Sequence, residues 1–150
     1  MDNFTTSTKL NIERFIHHPN FQFIQKDLNN TNTLGDIYRP IDYIFHLAGI
    51  EAYMNGLNVN IDTLDVNSSG TKALLELAIR NKAKFLLGSS EQIYHQYHPG
   101  DQFQNYFGQT RSEEGMHIFE GSKRFSEALT VEYALQHGVD ARIFRLAFLC

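Results

Sequence analysis

Short apolar runs alternate with longer amphipathic stretches along this chain. Phe21–Gln25, Tyr43–Leu47, Phe85–Leu87 and residues 139–148 read as strands. Pro40 precedes the second run, and Gly88, Ser89 and Ser90 follow the third. Short apolar runs bounded by turn signals suit the buried strands of a parallel sheet, although periodicity alone does not separate them from buried helix.

Three helices are predicted between these runs. Residues 8–17 form a short one, with Ser7 or Thr8 as N-cap and Pro19 just beyond its end. Residues 60–81 form a longer one, in which Leu64, Thr71, Leu74, Leu75 and Ala78 share a stripe and Glu76 and Arg80 are spaced for an i,i+4 pair. Residues 113–136 form the third: Ser112 caps it, Glu113 and Glu114 suit its positive end, and Gly138 stops it. Strands alternating with helices of this size predict βα units around a parallel sheet. Residues 90–112 are then a long loop after a strand, where open parallel sheets place their ligand crevice.

Composition narrows the class. The chain has 150 residues, 42% hydrophobic and 20% charged, which suits one packed domain and excludes wholesale disorder. A net charge of -4 carries no electrostatic footprint for nucleic acid or an anionic membrane. No apolar stretch is long enough to span a bilayer, and the N-terminus lacks the layout of a signal peptide, so a cytoplasmic chain is expected. The only cysteine is Cys150, which rules out a disulfide framework, and the seven histidines show no ligand spacing, so no metal site is expected. The chain ends on an apolar run, Ile143 to Cys150 broken only by Arg145, with no polar tail.

The residues that could carry chemistry gather after the strands. Asp27 follows the first, His46-Leu47-Ala48 ends the second, and Gly88-Ser89-Ser90-Glu91 ends the third. A carboxylate there can hold a sugar hydroxyl, and a serine can hydrogen-bond a substrate hydroxyl. Taken singly, each also reads as a polar group capping a turn. Phe119 and Lys123 lie four apart in the last helix and share a face.

Taken in order, these pieces resemble the extended short-chain dehydrogenase/reductase family, the NAD-dependent epimerases and dehydratases. Within it they are most similar to the UDP-glucuronate decarboxylases, then to the dTDP-glucose dehydratases. Asp2-Asn3-Phe4 looks like the end of the family's second strand, and Asp27-Leu28 like the pair near the adenine. His46-Leu47-Ala48 matches the fourth-strand motif, and Asn67 with Gly70-Thr71 the Asn-x-x-Gly-Thr helix. Phe85 to Ser90 and Tyr94 match the strand and loop that carry the catalytic Ser or Thr. Tyr106-Phe107-Gly108 precedes the active-site helix at the family spacing, and Gln136 to Gly138 with Arg142 resemble the turn and strand that follow it.

The resemblance implies an incomplete Rossmann-like, doubly wound parallel α/β sheet, with residues 1–150 as a partial NAD-binding domain that lacks the first βα unit and the C-terminal substrate domain. It implies NAD as cofactor, with Asp2, Asn3, Phe4, Asp27, Leu28, Leu47, Ala48, Asn67 and Lys123 on the cofactor side. It implies Ser90, Glu91, Lys123 and the position of Phe119 on the catalytic side. The implied substrate is a UDP-sugar, oxidised at C4 by hydride transfer, decarboxylated and reduced to UDP-xylose. The implied assembly is a homodimer through helices 60–81 and 113–136, as in a four-helix bundle.

Four departures qualify that expectation. The family helix reads Tyr-x-x-x-Lys, whereas here it reads Phe119-Glu120-Gly121-Ser122-Lys123. Phenylalanine moves no proton, and losing a general acid/base costs roughly 10²–10⁴-fold in rate. Ser90-Glu91-Gln92 aligns without a gap to the decarboxylases' Thr-Ser-Glu and removes its carboxylate, whereas one inserted residue aligns Ser89-Ser90-Glu91 and restores it. Glu114 to Ile118 replaces a stretch that contains arginine in the decarboxylases. The phosphate-binding Gly-x-x-Gly-x-x-Gly is absent, since no two glycines lie closer than six residues. The alignment leaves about thirty residues of the family pattern unmatched before Met1, the size of a βα start. A sheet without that strand is expected to be marginally stable or to depend on a partner. Impaired catalysis is therefore expected, with a non-catalytic pseudoenzyme or interaction module as the alternative.

Overall fold

The computed structural model describes residues 1–30, 34–35, 37, 39–49, 60–94 and 115–146. Strand β1 spans Tyr43–His46, β2 spans Lys84–Ser90 and β3 spans Ala141–Leu146. They pair in parallel in the order β1-β2-β3, with Ile44 opposite Phe85, and Leu87 opposite Ile143. Three of the four predicted strands are present. The fourth, Phe21–Gln25, contracts to a single parallel bridge between Asp2 and Gln25. The reason is local. Asp2 and Asn3 accept hydrogen bonds from the backbone two residues on, and Phe4 takes a left-handed φ of 63°. The segment therefore turns away after one paired residue, and Phe4 stacks on Phe23 at 4.9 Å instead.

Helix α1 (Asn60–Asp65) runs through a π turn (Val66–Gly70) into α2 (Thr71–Asn81). The predicted stripe holds after the π turn, where Thr71, Leu74, Leu75 and Ala78 are buried. Before it, Thr63 is buried and Leu64 is exposed, and within it Val66 and Asn67 are buried. The wider turn holds one more residue than an α-turn, which rotates the preceding residues out of register. Glu76 pairs with Lys72 at 3.9 Å rather than with Arg80. Helix α3 spans Gly115–His137 and ends at Gly138, whose φ of 69° only glycine adopts without strain. The expected cap Ser112, with Glu113, Glu114 and most of the loop 90–112, lies outside the described residues. The expected helix at 8–17 is a 3-10 helix over Lys9–Phe15, and Thr8 makes no side-chain cap bond.

Helices α2 and α3 pack on one face of the sheet. Ile44, Phe85 and Leu87 meet Leu74, Leu75 and Ala78 there, and Leu28 joins them. Each of these leucine, isoleucine and phenylalanine side chains removed from water contributes about 1.5–3 kcal/mol before entropy. A two-point contact from Arg145 to Glu127, at 2.8 and 3.0 Å, ties β3 to α3. No described helix is long and apolar enough to cross a membrane.

Candidate nucleotide cleft and buried polar seam

The carboxyl ends of the strands carry two adjoining features. The first is a cleft of about 160 Å³. Met1–Asn3, Thr6, Lys26–Leu28, Leu47–Gly49 and Val66 line it. It gathers six of the expected cofactor residues: Asp2, Asn3, Asp27, Leu28, Leu47 and Ala48. Asp2 and Asp27 are organised by their neighbours. One oxygen of Asp2 accepts from the Phe4 N–H and the Ser7 hydroxyl, at 2.6 and 2.9 Å. Asp27 accepts from the Asn3 amide and the Asn29 N–H, both at 2.9 Å. Phe4 does not reach the cleft, and Asn67 lies buried behind it.

The second feature is a buried polar seam that joins β1, the π turn and α3. Thr71 is its hub. Its hydroxyl donates to the Asn67 carbonyl at 3.1 Å, so it accepts from His46 Nε2–H at 2.9 Å. Ser126 also donates to the Asn67 carbonyl. The Asn67 amide donates to Ser122 Oγ and to the Thr63 carbonyl, both at 3.1 Å. The Asn67 carbonyl thus receives two hydroxyls, from Thr71 and Ser126. His46 is fully buried, and its pKa is lowered to about 3 by desolvation and then by Lys123, so the ring is neutral near pH 7.

Lys123 lies against this seam. Its Nζ donates to the Gly88 carbonyl at 3.0 Å and sits 5.6 Å from the centre of the Phe119 ring. Burial lowers its pKa to about 8, against the opposing pull of Glu127. The expected pairing of Phe119 and Lys123 on one face is therefore present. Ser90 is half-buried, and its hydroxyl accepts the Gln92 N–H at 3.2 Å. Glu91 is exposed at the start of a 3-10 turn, Glu91–Tyr94. Among the described residues no hydrogen bond joins Ser90 or Glu91 to Lys123. Ser89, on the opposite side of the strand from Ser90, is buried with its hydroxyl unpartnered.

The polar seam was missed by sequence reasoning, although a signal was present. Thr63, Asn67 and Thr71 repeat at i,i+4, and so do Ser122, Ser126 and Thr130. Two polar ladders at helical spacing inside otherwise apolar stripes point to helices that face each other.

The ordered strand-end residues coincide with a profile match over the whole chain, residues 1–150. The chain belongs to the NAD dependent epimerase/dehydratase family. Among curated relatives, UDP-glucuronic acid decarboxylase 1 of Danio rerio is 32% identical over 146 residues. That alignment covers 97% of this chain and 34% of the relative, so the chain spans about a third of its length. Solved structures agree on the fold. Pal from Bacillus thuringiensis superposes with a TM-score of 0.82 at 22% identity, covering 96% of this chain and 46% of Pal. A double mutant of DesIV, a dTDP-glucose 4,6-dehydratase from Streptomyces venezuelae with NAD bound, has a TM-score of 0.78 at 20% identity, covering 93% and 42%. The fold is thus the Rossmann-like parallel arrangement expected for the epimerase/dehydratase family.

Proposed function

We propose that this chain is a cytoplasmic relative of the UDP-glucuronate decarboxylases with impaired catalysis. The observation that carries the reading is Phe119, set one helical turn before a buried Lys123 whose Nζ lies 5.6 Å from its ring centre. A lysine placed to lower the pKa of a neighbouring acid/base here faces a ring with no proton to move.

The cleft suits the adenosine end of NAD. The Asp2 carboxylate is held at its mouth for ribose hydroxyls, a choice that disfavours a 2′-phosphate. Asp27 and Leu28 suit the adenine, and Leu47 and Ala48 line the same cleft. Lys123 would hold the nicotinamide ribose. Bound NAD would supply hydride acceptance and return. The chain's own residues would orient the sugar, with Ser90 on the hydroxyl being oxidised and Glu91 assisting. The pyrophosphate is the weak point, because the sequence has no glycine-rich turn to hold it. Calorimetry with NAD is therefore expected to give no binding at family-like affinity, and micromolar binding would overturn that expectation.

The decisive test is Phe119→Tyr in a protein extended to the length of its relatives, with the glycine-rich turn and the substrate domain supplied. Incubated with NAD and UDP-glucuronate, the variant is expected to form UDP-xylose at least 100-fold faster than the parent, within the general acid/base range of roughly 10²–10⁴. A variant no faster than the parent would refute Phe119 as the main block.

A second reading, a non-catalytic dimerisation module, draws on exposed apolar side chains along the helices. Ile61 and Leu64 on α1 and Phe125 and Leu135 on α3 stand in solvent. Sedimentation should show a homodimer that Phe125→Glu dissociates. A monomeric parent would remove this reading.

A further inference from the structure

We propose that Arg145 is a positioning residue for Lys123. By gripping the Glu127 carboxylate at two points, it keeps that carboxylate off the lysine and leaves the amine at the carboxyl end of β2.

Lys123 and Glu127 lie four apart on α3, in the same order as Lys72 and Glu76 on α2. The exposed α2 pair closes to 3.9 Å. Lys123 and Glu127 are both buried, where attraction is less screened and an unpaired charge costs more. Yet the two do not pair with each other. Among the described residues, Lys123 Nζ donates to the Gly88 carbonyl at 3.0 Å, and the Glu127 carboxylate accepts only from Arg145, from Nη2 at 2.8 Å and Nε at 3.0 Å.

The sheet accounts for the exchange of partners. Gly88 stands opposite Phe144, and Ser89 opposite Arg145, where β2 pairs with β3. One turn of α3 rises about 5.4 Å and neighbouring strands lie about 4.8 Å apart, so Lys123 meets β2 while Glu127 meets β3. A guanidinium binds a carboxylate at two points in one plane, which an ammonium does not match. Arg145 therefore takes Glu127.

The consequence falls on the amine. The groups that bear on it are Glu127 on its own helix, held by Arg145 from β3, and neutral His46 on β1. A carboxylate already paired attracts Lys123 less than a free one would. Desolvation prevails over it, and the pKa of Lys123 stands at about 8. Without Arg145, Glu127 is released to close the i,i+4 pair and to draw the ammonium away from Gly88.

The use of that placement rests on the reading of Lys123 as a ribose contact, but the test reads the amine alone and needs no cofactor, so either can fail without the other. In the full chain carrying isotopically labelled lysine, the titration of Lys123 is followed by NMR and assigned with Lys123→Arg. Arg145→Met should raise the proton affinity of Lys123 at least about tenfold. Glu127→Gln should lower it below that of the parent. With Glu127→Gln already present, Arg145→Met should change it by less than about threefold, because the carboxylate through which Arg145 acts is gone. Arg145→Lys keeps the charge without the two-point grip and should fall between the parent and Arg145→Met, which carries the test if Arg145→Met does not fold. No rise in the Arg145 variants would overturn the proposal. So would an equal rise with and without the Glu127 carboxylate, since Arg145 would then act as a separate charge or as packing.

Discussion

The two faces of one sheet differ more than the sequences of their strands do. Along β1 the residues alternate between Ile44 and His46 on one side and Tyr43 and Phe45 on the other. All but one are apolar, as suits a strand covered twice. The side under α2 and α3 is sealed, with Phe85 1% exposed and Leu87 0%. The other side leaves Tyr43 60%, Phe45 64% and Phe144 53% exposed among the described residues. The lesson is that apolar content does not locate the core. The sealed face also holds the polar groups: His46, Thr71, Asn67, Ser122 and Ser126 are buried in it, and their mutual hydrogen bonds make that burial tolerable.

Acidification probes this comparison hardest. The folded-state pKa of His46 is lowered, so the unfolded chain binds its proton first. Stability due to this group is complete above the unfolded value of about 6.5 and is lost as pH falls toward 3, by up to ~5 kcal/mol. Urea denaturation from pH 7 to pH 4 should show the loss, and His46→Leu should flatten it. An unchanged slope in that variant would mean that carboxylates govern acid unfolding. Lys123 works in the other window: its lowered pKa makes the fold gain stability as pH rises from about 8 toward 10.5.

Next in size is Phe85→Ala on the sealed face, expected to cost about 3–5 kcal/mol. Phe45→Ala, on the exposed face of β1, should cost less than about 1 kcal/mol. Equal costs in chemical denaturation would show that the exposed face is covered in solution. Thr71→Val keeps the shape of the seam's hub but strips its hydroxyl from His46 and from the Asn67 carbonyl. It should destabilise by about 2 kcal/mol, because two buried polar groups lose a partner. If its thermal midpoint stayed at that of the parent, the seam would not be the support described above. The smallest effect is expected at Phe144→Ser, within about 0.5 kcal/mol in stability, with solubility raised.

Much of this architecture was legible in the residues. The apolar runs at 43–47, 85–87 and 139–148 became β1, β2 and β3, because runs that short and that apolar have few other places to go. The long helices were legible from their stripes, and the end of α3 from Gly138. Six strand-end residues expected on the cofactor side line one cleft, because a parallel sheet brings the carboxyl ends of its strands to one edge. The strand at 21–25 was overread, since its partner segment is bent by the side chains of Asp2 and Asn3, a competition that periodicity does not register. The stripe through Leu64 failed two residues before the π turn, because a 3.6-residue repeat has no symbol for an inserted residue.

The sequence by itself determined the order of elements, the parallel alternation and the spacing of Phe119 from Lys123. These rest on neighbours within a few turns, where local geometry decides. Tertiary structure alone decided which face of the sheet was sealed, that the helix would carry a π turn, and that Lys123 would reach the Gly88 carbonyl. Those outcomes depend on pairs such as Asn67 with Ser122, 55 residues apart, and Lys123 with Gly88, 35 apart. No local pattern encodes such a pairing. It is made only when two helices dock on the same sheet and their buried polar groups must find one another.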